Sequence, residues 1–396
     1  MRFQQSLCVL CLLLLSLSPV MTLAWTHYGY FKYAFNYTDI PANTIAYPLS
    51  GNQQTLNSLS LRLATEDNWD QYSAAMHYEI SALHSNNPDL PVNIDRDRQR
   101  WFDLTSTLKN DSNEYQDHRL DRLTVAYSGE RLVLRLGRQA VSWGNGFLFH
   151  ALDIFNPFDP VALDTDYKTG DDMFYAQWLT RKGNDWQMIL LPRRNPAGNL
   201  DQRYSSQVVK YHALTSQGDV DLLYAQHYDQ TFIAMGYAKA ISDAVWRFDF
   251  AVTELTDQQH VNTLVSNVDY SWVWFEHNIY GFAEYFYNGF GENYATLPMN
   301  SELTSRLLRG ELFTRTRDYL ALGLTIELHP LVNLSPTVIL NLNDHSRLLP
   351  VSLNINWQEN LLLKTSVILS AGHSLSEYGG SLSPGNQFNC LLSYYF

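Results

Sequence analysis

The sequence predicts an all-β protein, and within that class a transmembrane antiparallel up-and-down β-barrel of about eighteen strands. Three observations predict it. Hydrophobic alternation with period two recurs along the chain after residue 24, and short turns alternate with long connections. The 14% of residues that are Phe, Trp or Tyr cluster in and around the alternating segments. Alternation places apolar groups on one face of a strand, but a soluble sandwich does the same. The turn pattern separates the two. Spanning barrels carry short turns on the periplasmic side and longer loops outside, and lipid admits no sheet with unpaired edges.

Residues 1–24 read as a secretory leader. Arg2 is the only early charge, Leu7 to Leu17 is apolar, and Thr22-Leu-Ala24 offers small residues for cleavage. The apolar run is shorter than the roughly 18 residues that a spanning helix needs. Cys8 and Cys11 sit inside it rather than after it, which argues against a lipid-anchoring box. The barrel is therefore expected over 25–396, with Cys390 its only cysteine and no internal disulfide possible. Loss of the leader takes Arg2 and moves the net charge of -13 one unit further negative, a balance that argues against nucleic-acid binding.

Each strand follows from its own alternation. Leu59, Leu61 and Leu63 alternate with Ser58, Ser60 and Arg62. Leu132, Leu134 and Leu136 alternate with Arg131, Val133 and Arg135. Trp246, Phe248, Phe250 and Val252 alternate with Arg247, Asp249, Ala251 and Thr253. In order, the expected strands are 25–37, 56–65, 70–84, 118–128, 131–138, 172–181, 185–193, 206–215, 220–228, 231–240, 245–256, 261–272, 277–287, 318–328, 331–342, 349–358, 361–372 and 386–396. Merging one hairpin gives sixteen, also an even number, as closure of a bacterial barrel requires. Ser128-Gly-Glu130, Lys182-Gly-Asn184, Gln217-Gly-Asp219, His329-Pro330 and Glu359-Asn360 are tight turns, whereas 85–117, 139–171, 288–317 and 373–385 are long connections.

The last strand alternates Phe388, Cys390, Leu392, Tyr394 and Phe396 and ends the sequence on an aromatic ring. In this it resembles the outer-membrane β-barrel proteins of Gram-negative bacteria. Gly137-Arg-Gln139, Trp143-Gly144 and Phe155-Asn-Pro-Phe158 resemble segments of porin-like and alginate-export-like barrels. The resemblance implies residence in the outer membrane, against its lipid and lipopolysaccharide, and recognition of Phe396 by the barrel-assembly machinery.

A screen for chemistry gives no catalytic residue, metal site or cofactor. Gly379 to Gly385 lacks the spacing of a nucleophile elbow, and the histidines form no H-E-x-x-H motif. Gly144-Asn-Gly146 lacks the third glycine of a dinucleotide loop. Asp164-Thr-Asp166 before Gly170-Asp-Asp172 is one place out for a calcium loop, with Tyr175 where the bidentate glutamate belongs. These acids read as solvated loop residues.

Setting the apolar parity against lipid leaves Arg62, Arg122, Arg131, Arg135, Arg181 and Arg193 on the lumen parity, with Asp221, Asp249, Asp269 and Glu284 in later strands. Charges there either line water or pair with one another. Opposed walls of charge would select small polar or ionic solutes. The uncharged aromatic stretch after Arg138 makes a poor surface loop. In general porins, which the topology resembles, the third outer loop folds inward. The same is expected here of 139–171, with Gly144 and Gly146 permitting the turn and Pro157 and Pro160 keeping it out of the sheet. Trp143 and Phe155 would pack on the wall, and Asp153, Asp159, Asp164 and Asp166 would face the arginines. The functional expectation is a passive channel for small hydrophilic or anionic solutes. Its alternatives are an export barrel for an anionic polysaccharide and an enzymatic or assembly barrel with a blocked lumen.

Overall fold

The computed structural model describes residues 25–87, 97–295, 298–374 and 376–396. The leader over 1–24 and part of the 85–117 connection lie outside the described residues. The strands are β1 (Thr26–Asp39), β2 (Gln53–Trp69), β3 (Tyr72–Ser85), β4 (Thr105–Asn110), β5 (Glu114–Ser128), β6 (Leu132–Gln139), β7 (Asp171–Leu179), β8 (Asp185–Leu191), β9 (Ser206–Thr215) and β10 (Gly218–His227). They continue with β11 (Gln230–Ile241), β12 (Ala244–Glu254), β13 (His260–Trp274), β14 (His277–Asn288), β15 (Asp318–His329), β16 (Val332–Asn341), β17 (Arg347–Gln358), β18 (Leu361–Ala371) and β19 (Asn386–Tyr395).

Eighteen of these close an antiparallel barrel in chain order, with β3 passing directly to β5. The seam is β19 on β1, in register from Tyr30 opposite Tyr395 to Asp39 opposite Asn386. Gly29 and Phe396 exchange backbone hydrogen bonds at its end. Each expected strand is present. The one strand missed by the sequence reading is β4, which pairs only with the outer half of β5, beyond where β6 stops.

The turns after β2, β5, β7, β9, β11, β13, β15 and β17 gather at the end that holds the seam's termini, and the long connections lie opposite. The outer side also carries short connections over 255–259 and 342–346, and the shortest is Tyr228-Asp229 between β10 and β11, with both φ positive at 49° and 63°.

The outer face is apolar and uncovered. Leu59, Leu63, Ile80, Leu136, Met188 and Leu369 are between 39% and 50% exposed. A water-soluble chain would bury such a belt, so its solvent is lipid. Next to the turns stand Trp69, Tyr72, Trp178, Trp186, Trp274 and Trp357, all exposed, as rings at a membrane interface are.

The inside holds a true hydrophobic core. Ile189, Val208, Val265, Ile339, Leu348 and Ile368 point from the wall onto Phe149, Leu152, Ile154 and Phe155. Two helices occur among the described residues: α1 (Tyr47–Ser50) and α2 (Ser301–Arg309). The sequence reading expected no helix. Yet Asn300 caps α2 by accepting from the Leu303 N–H, Glu302 sits in the first turn and Arg306 and Arg309 in the last. Left-handed Gly310 stops it.

Candidate functional site

The connection from β6 to β7 leaves the wall at Gln139 and crosses the lumen. Gly144 makes the turn at φ +93°, and a Cβ there would stand 2.9 Å from Asp249 Oδ2. At Gly146 a Cβ would meet the Phe149 carbonyl, so this bend also admits no side chain. The tip is then pinned to the far wall. Asp249 of β12 accepts from the Asn145 backbone and side chain, both at 2.6 Å. Glu284 of β14 accepts from the backbone N–H groups of Phe147 at 2.5 Å and of Leu148 and Phe149 at 2.9 Å. Asn267 of β13 binds both the Asn145 carbonyl and Glu284. These wall acids thus hold backbone donors that the loop could not otherwise satisfy inside a barrel.

Aromatic packing completes the seat. Trp143 is buried and donates to Gln187 of β8 at 2.9 Å. Phe149 stacks on Phe286 with ring centres 4.7 Å apart, and Phe155 is 2% exposed. The returning limb carries the acids, which meet lysines rather than the expected arginines. Asp153 pairs with Lys168 at 2.5 Å. Asp164 and Asp166 hold Lys32 of β1 at 2.8 and 2.6 Å, and Asp166 also reaches Lys364 and Tyr395. Burial pushes the Asp166 carboxyl up, but hydrogen bonds from Lys32 and Tyr395 win and hold it at about 2. Asp159 accepts from the Val161 N–H instead. The acids read as solvated in the sequence are, at 164 and 166, the loop's clamp on the seam strands.

The arginines do not form one open basic wall. Arg62 is 2% exposed between Asp121 at 2.6 Å and Glu79 at 3.4 Å. Arg119 shares the same two acids, and Arg122 binds Asp121 and the Lys168 carbonyl. Three guanidiniums meet two carboxylates in this cluster, but Glu66, beside His77, and buried Asp117 on the same strands offset the excess. Arg135 is exposed to the lumen over the Tyr175 ring at 5.2 Å. Arg131 and Arg181 fall in exposed turns, because β6 begins at Leu132 and β7 ends at Leu179. They are not wall residues. Arg193 lies beyond the end of β8, buried among Ser206, Asp171 and the Phe155 and Tyr228 rings. Arg138 keeps the lipid-side parity, with no register shift at Gly137. It is nevertheless buried, because the 97–104 segment covers it. Asp97 and Asp172 hold it at 3.0 and 2.9 Å.

Sequence reasoning missed the outer mouth. Arg193 and Arg309 both stand over the Tyr228 ring, 4.7 and 4.3 Å from its centre. Glu311 ties Arg306, Arg309 and His227 together. A space of about 540 Å³ remains there, lined by Arg98, Arg100, Arg193, Tyr228 and Arg309. The sequence signal was the capped helix ending Arg-Leu-Leu-Arg-Gly-Glu.

A closed eighteen-stranded barrel with an uncovered apolar belt and an inward loop is a transmembrane β-barrel of the bacterial outer-membrane type. No family model and no curated protein matches the chain. Among solved structures it is similar to the outer-membrane porin OccAB4 of Acinetobacter baumannii, with 8% identity and a TM-score of 0.56 over 93% of this chain and 98% of that one. It is similar also to OccK7 of Pseudomonas aeruginosa, with 10% identity, a TM-score of 0.52 and coverage of 94% and 99%. A third likeness is to Wzi of Escherichia coli, described as a carbohydrate-binding β-barrel involved in group 1 capsule assembly. Here identity is 7%, the TM-score is 0.55 and coverage is 93% and 84%. At these identities the likeness is one of fold.

Proposed function

We propose that this barrel is an outer-membrane channel for passive diffusion of small hydrophilic or anionic solutes, with 140–170 as its constriction and no enzymatic role. The observation that carries the reading is the pinning of that loop across the lumen by Asp249 and Glu284 on one side and Lys32 on the other. A loop so held narrows the passage at a fixed place. Arg135, open to the lumen over the Tyr175 ring, favours anions. A leader over 1–24 and recognition of Phe396 by the assembly machinery belong to the same reading, as do porin-type neighbours.

Planar-bilayer recording tests it. Replacing Asn145 to Asp166 by a short Gly-Ser linker is expected to raise conductance and relax ion selectivity while the barrel still assembles, since the sheet closes without the loop. Unchanged conductance in an assembled variant refutes the constriction.

The second reading is a barrel that handles anionic carbohydrate at its outer face with the lumen blocked. The buried core of Phe149, Leu152, Ile154 and Phe155 inside the barrel favours it, as does the ring-and-guanidinium mouth around Tyr228. A wild-type barrel that conducts no ions yet binds an acidic polysaccharide would replace the channel with this function.

A further inference from the structure

A cavity of about 500 Å³ lies in the outer half of the lumen, with Phe149 of the loop tip at one edge. Its walls come from three places. Ile339, Leu348 and Ile368 belong to β16, β17 and β18, Val161 to the inward loop, and Leu307 and Leu312 to α2 and the stretch after it. Hydrocarbon of this extent facing a water-filled lumen is costly to leave wet, and its size is that of a small-molecule site.

Thr304, Thr314, Tyr378 and Gln387 also line the cavity, and its charged groups, Asp159, Arg315 and Glu377, are unequal. Glu377 is buried with both oxygens engaged: Oε1 accepts from the Arg315 backbone, and Oε2 from Tyr319 and Asn341. The Arg315 guanidinium donates to the Leu382 carbonyl at 3.1 Å and is in no ion pair among those found between described residues. Asp159 lies on the loop side and accepts from the Val161 N–H. One cation with spare donors therefore stands at the edge of a chamber whose far side is hydrocarbon.

The wall outside this chamber is apolar too. A lipid-facing groove of about 540 Å³ runs over Val268, Tyr270, Gly281, Ala283, Pro336 and Leu349. Pro336 in β16 and Pro350 in β17 have no N–H to give. The β15–β16 and β16–β17 ladders both lack pairs beside them while the register is kept, with Ile339 and Leu348 resuming the second. Central strands rarely carry proline. Here two neighbouring strands do, between a lipid-facing groove and a hydrocarbon-lined cavity.

We infer that the outer lumen cavity is a binding site for a single-chain amphipathic carboxylate, with the chain among Ile339, Leu348, Leu307 and Leu312 and the carboxylate on Arg315. The site is independent of the channel reading, because occupancy does not require ion flow. A charge-assisted hydrogen bond to Arg315 adds orientation to the non-directional burial of the chain.

The test uses the full barrel in lipid nanodiscs, free of detergent, titrated calorimetrically with decanoate against empty nanodiscs as the partition control. Decanoate is expected to bind saturably at one site per barrel, and butyrate, with the same headgroup and little chain, at least tenfold more weakly. Arg315→Gln is expected to weaken decanoate roughly tenfold, as is Leu312→Asp, which places a charge in the chamber from outside the sheet. Asp159→Asn should leave binding unchanged or tighten it. Heat-modifiable gel mobility confirms that each variant is a closed barrel. Binding indistinguishable from empty nanodiscs overturns the proposal. So does an assembled Arg315→Gln barrel with wild-type affinity. Decanoate weakened by Asp159→Asn as much as by Arg315→Gln would mean that Arg315 does not orient the carboxylate, which also overturns it.

Discussion

Glu284 is the single side chain on which the seat of the constriction loop most depends. Its carboxylate is fully buried and accepts three consecutive backbone N–H groups, at 2.5, 2.9 and 2.9 Å, as well as Asn267 at 3.0 Å. Truncation in Glu284→Ala would leave those three backbone donors buried without partners, at about 1–3 kcal/mol each, so roughly 3–9 kcal/mol in all. Against this, keeping the tip in place preserves the burial of Phe149 on Phe286, worth about 1.5–3 kcal/mol. The orphaned donors outweigh the ring, so the tip leaves the wall and takes its hydrogen bonds from water. Asp249 still holds Asn145, so the displacement is local to Phe147–Phe149. In Glu284→Gln one oxygen remains for the Leu148 and Phe149 donors, while an amide nitrogen faces Phe147 and Asn267, and an intermediate effect follows. The assay is single-channel conductance, with heat-modifiable mobility to show that the barrel is closed. Conductance and current noise are expected to rise in the order wild type, Gln, Ala. An assembled Glu284→Ala barrel with wild-type conductance and noise would refute the argument that these bonds position the loop.

Arg135 and Arg138 should separate a lumen charge from a structural one. Arg135→Glu should shift the reversal potential toward cations with little loss of stability, since Arg135 is exposed over Tyr175. Arg138→Gln, which strips Asp97 and Asp172 of their buried partner, should cost about 3–5 kcal/mol in urea unfolding and barely move selectivity. For topology, a cysteine at Asn293 should react with an impermeant maleimide on intact cells and one at Lys182 should not; the reverse pattern would invert the barrel. Glu377 gives a pH dependence. Burial pushes its carboxyl up to about 7, against the hydrogen bond from Tyr319 and the charge of Arg315, with Asp344 adding to the rise. The folded site therefore holds a proton that the unfolded chain has released. Stability of the 372–385 connection should fall as pH rises from about 4.3 to 7 and level off above. Proteolysis of that connection across this range, flat in Glu377→Gln, checks the sign.

The strands were legible because lipid outside and a mostly small or polar interior impose period two on nearly every segment. β4 was not, because Thr105–Asn110 is polar and largely exposed on both faces and alternates nothing. The inward loop was legible from its missing charges, its glycines and its prolines. Its partners were not: Asp249, Glu284 and Lys32 lie 104, 137 and 132 positions away in sequence from the groups they bind, and nothing local announces such pairs. The arginines were misjudged for two reasons. Strand ends shifted by one or two residues, which moved Arg131 and Arg181 into turns. Pairing also depends on register across strands, which set Glu79 and Asp121 beside Arg62. The apolar interior did have a signal. Met188-Ile-Leu-Leu191, Val338-Ile-Leu340 and Val367-Ile-Leu369 are unbroken apolar runs, which in strands mean that both faces are covered.

The reach of the inward loop also fixes an order of events. Its anchors sit on β1, β8, β12, β13, β14, β18 and β19, so the clamp that joins Lys32 to Lys364 and Tyr395 does not exist until the last strand has found the first. Segment 140–170 emerges early in the chain yet cannot be held at both ends until the seam between Tyr30 and Tyr395 has zipped. Seating of the returning limb on Lys32, Lys364 and Tyr395 thus reports completed closure. Slowing the seam, for example by weakening the β1–β19 pairing, should therefore lengthen the interval in which 140–170 can be cut by protease, without any change to the loop itself.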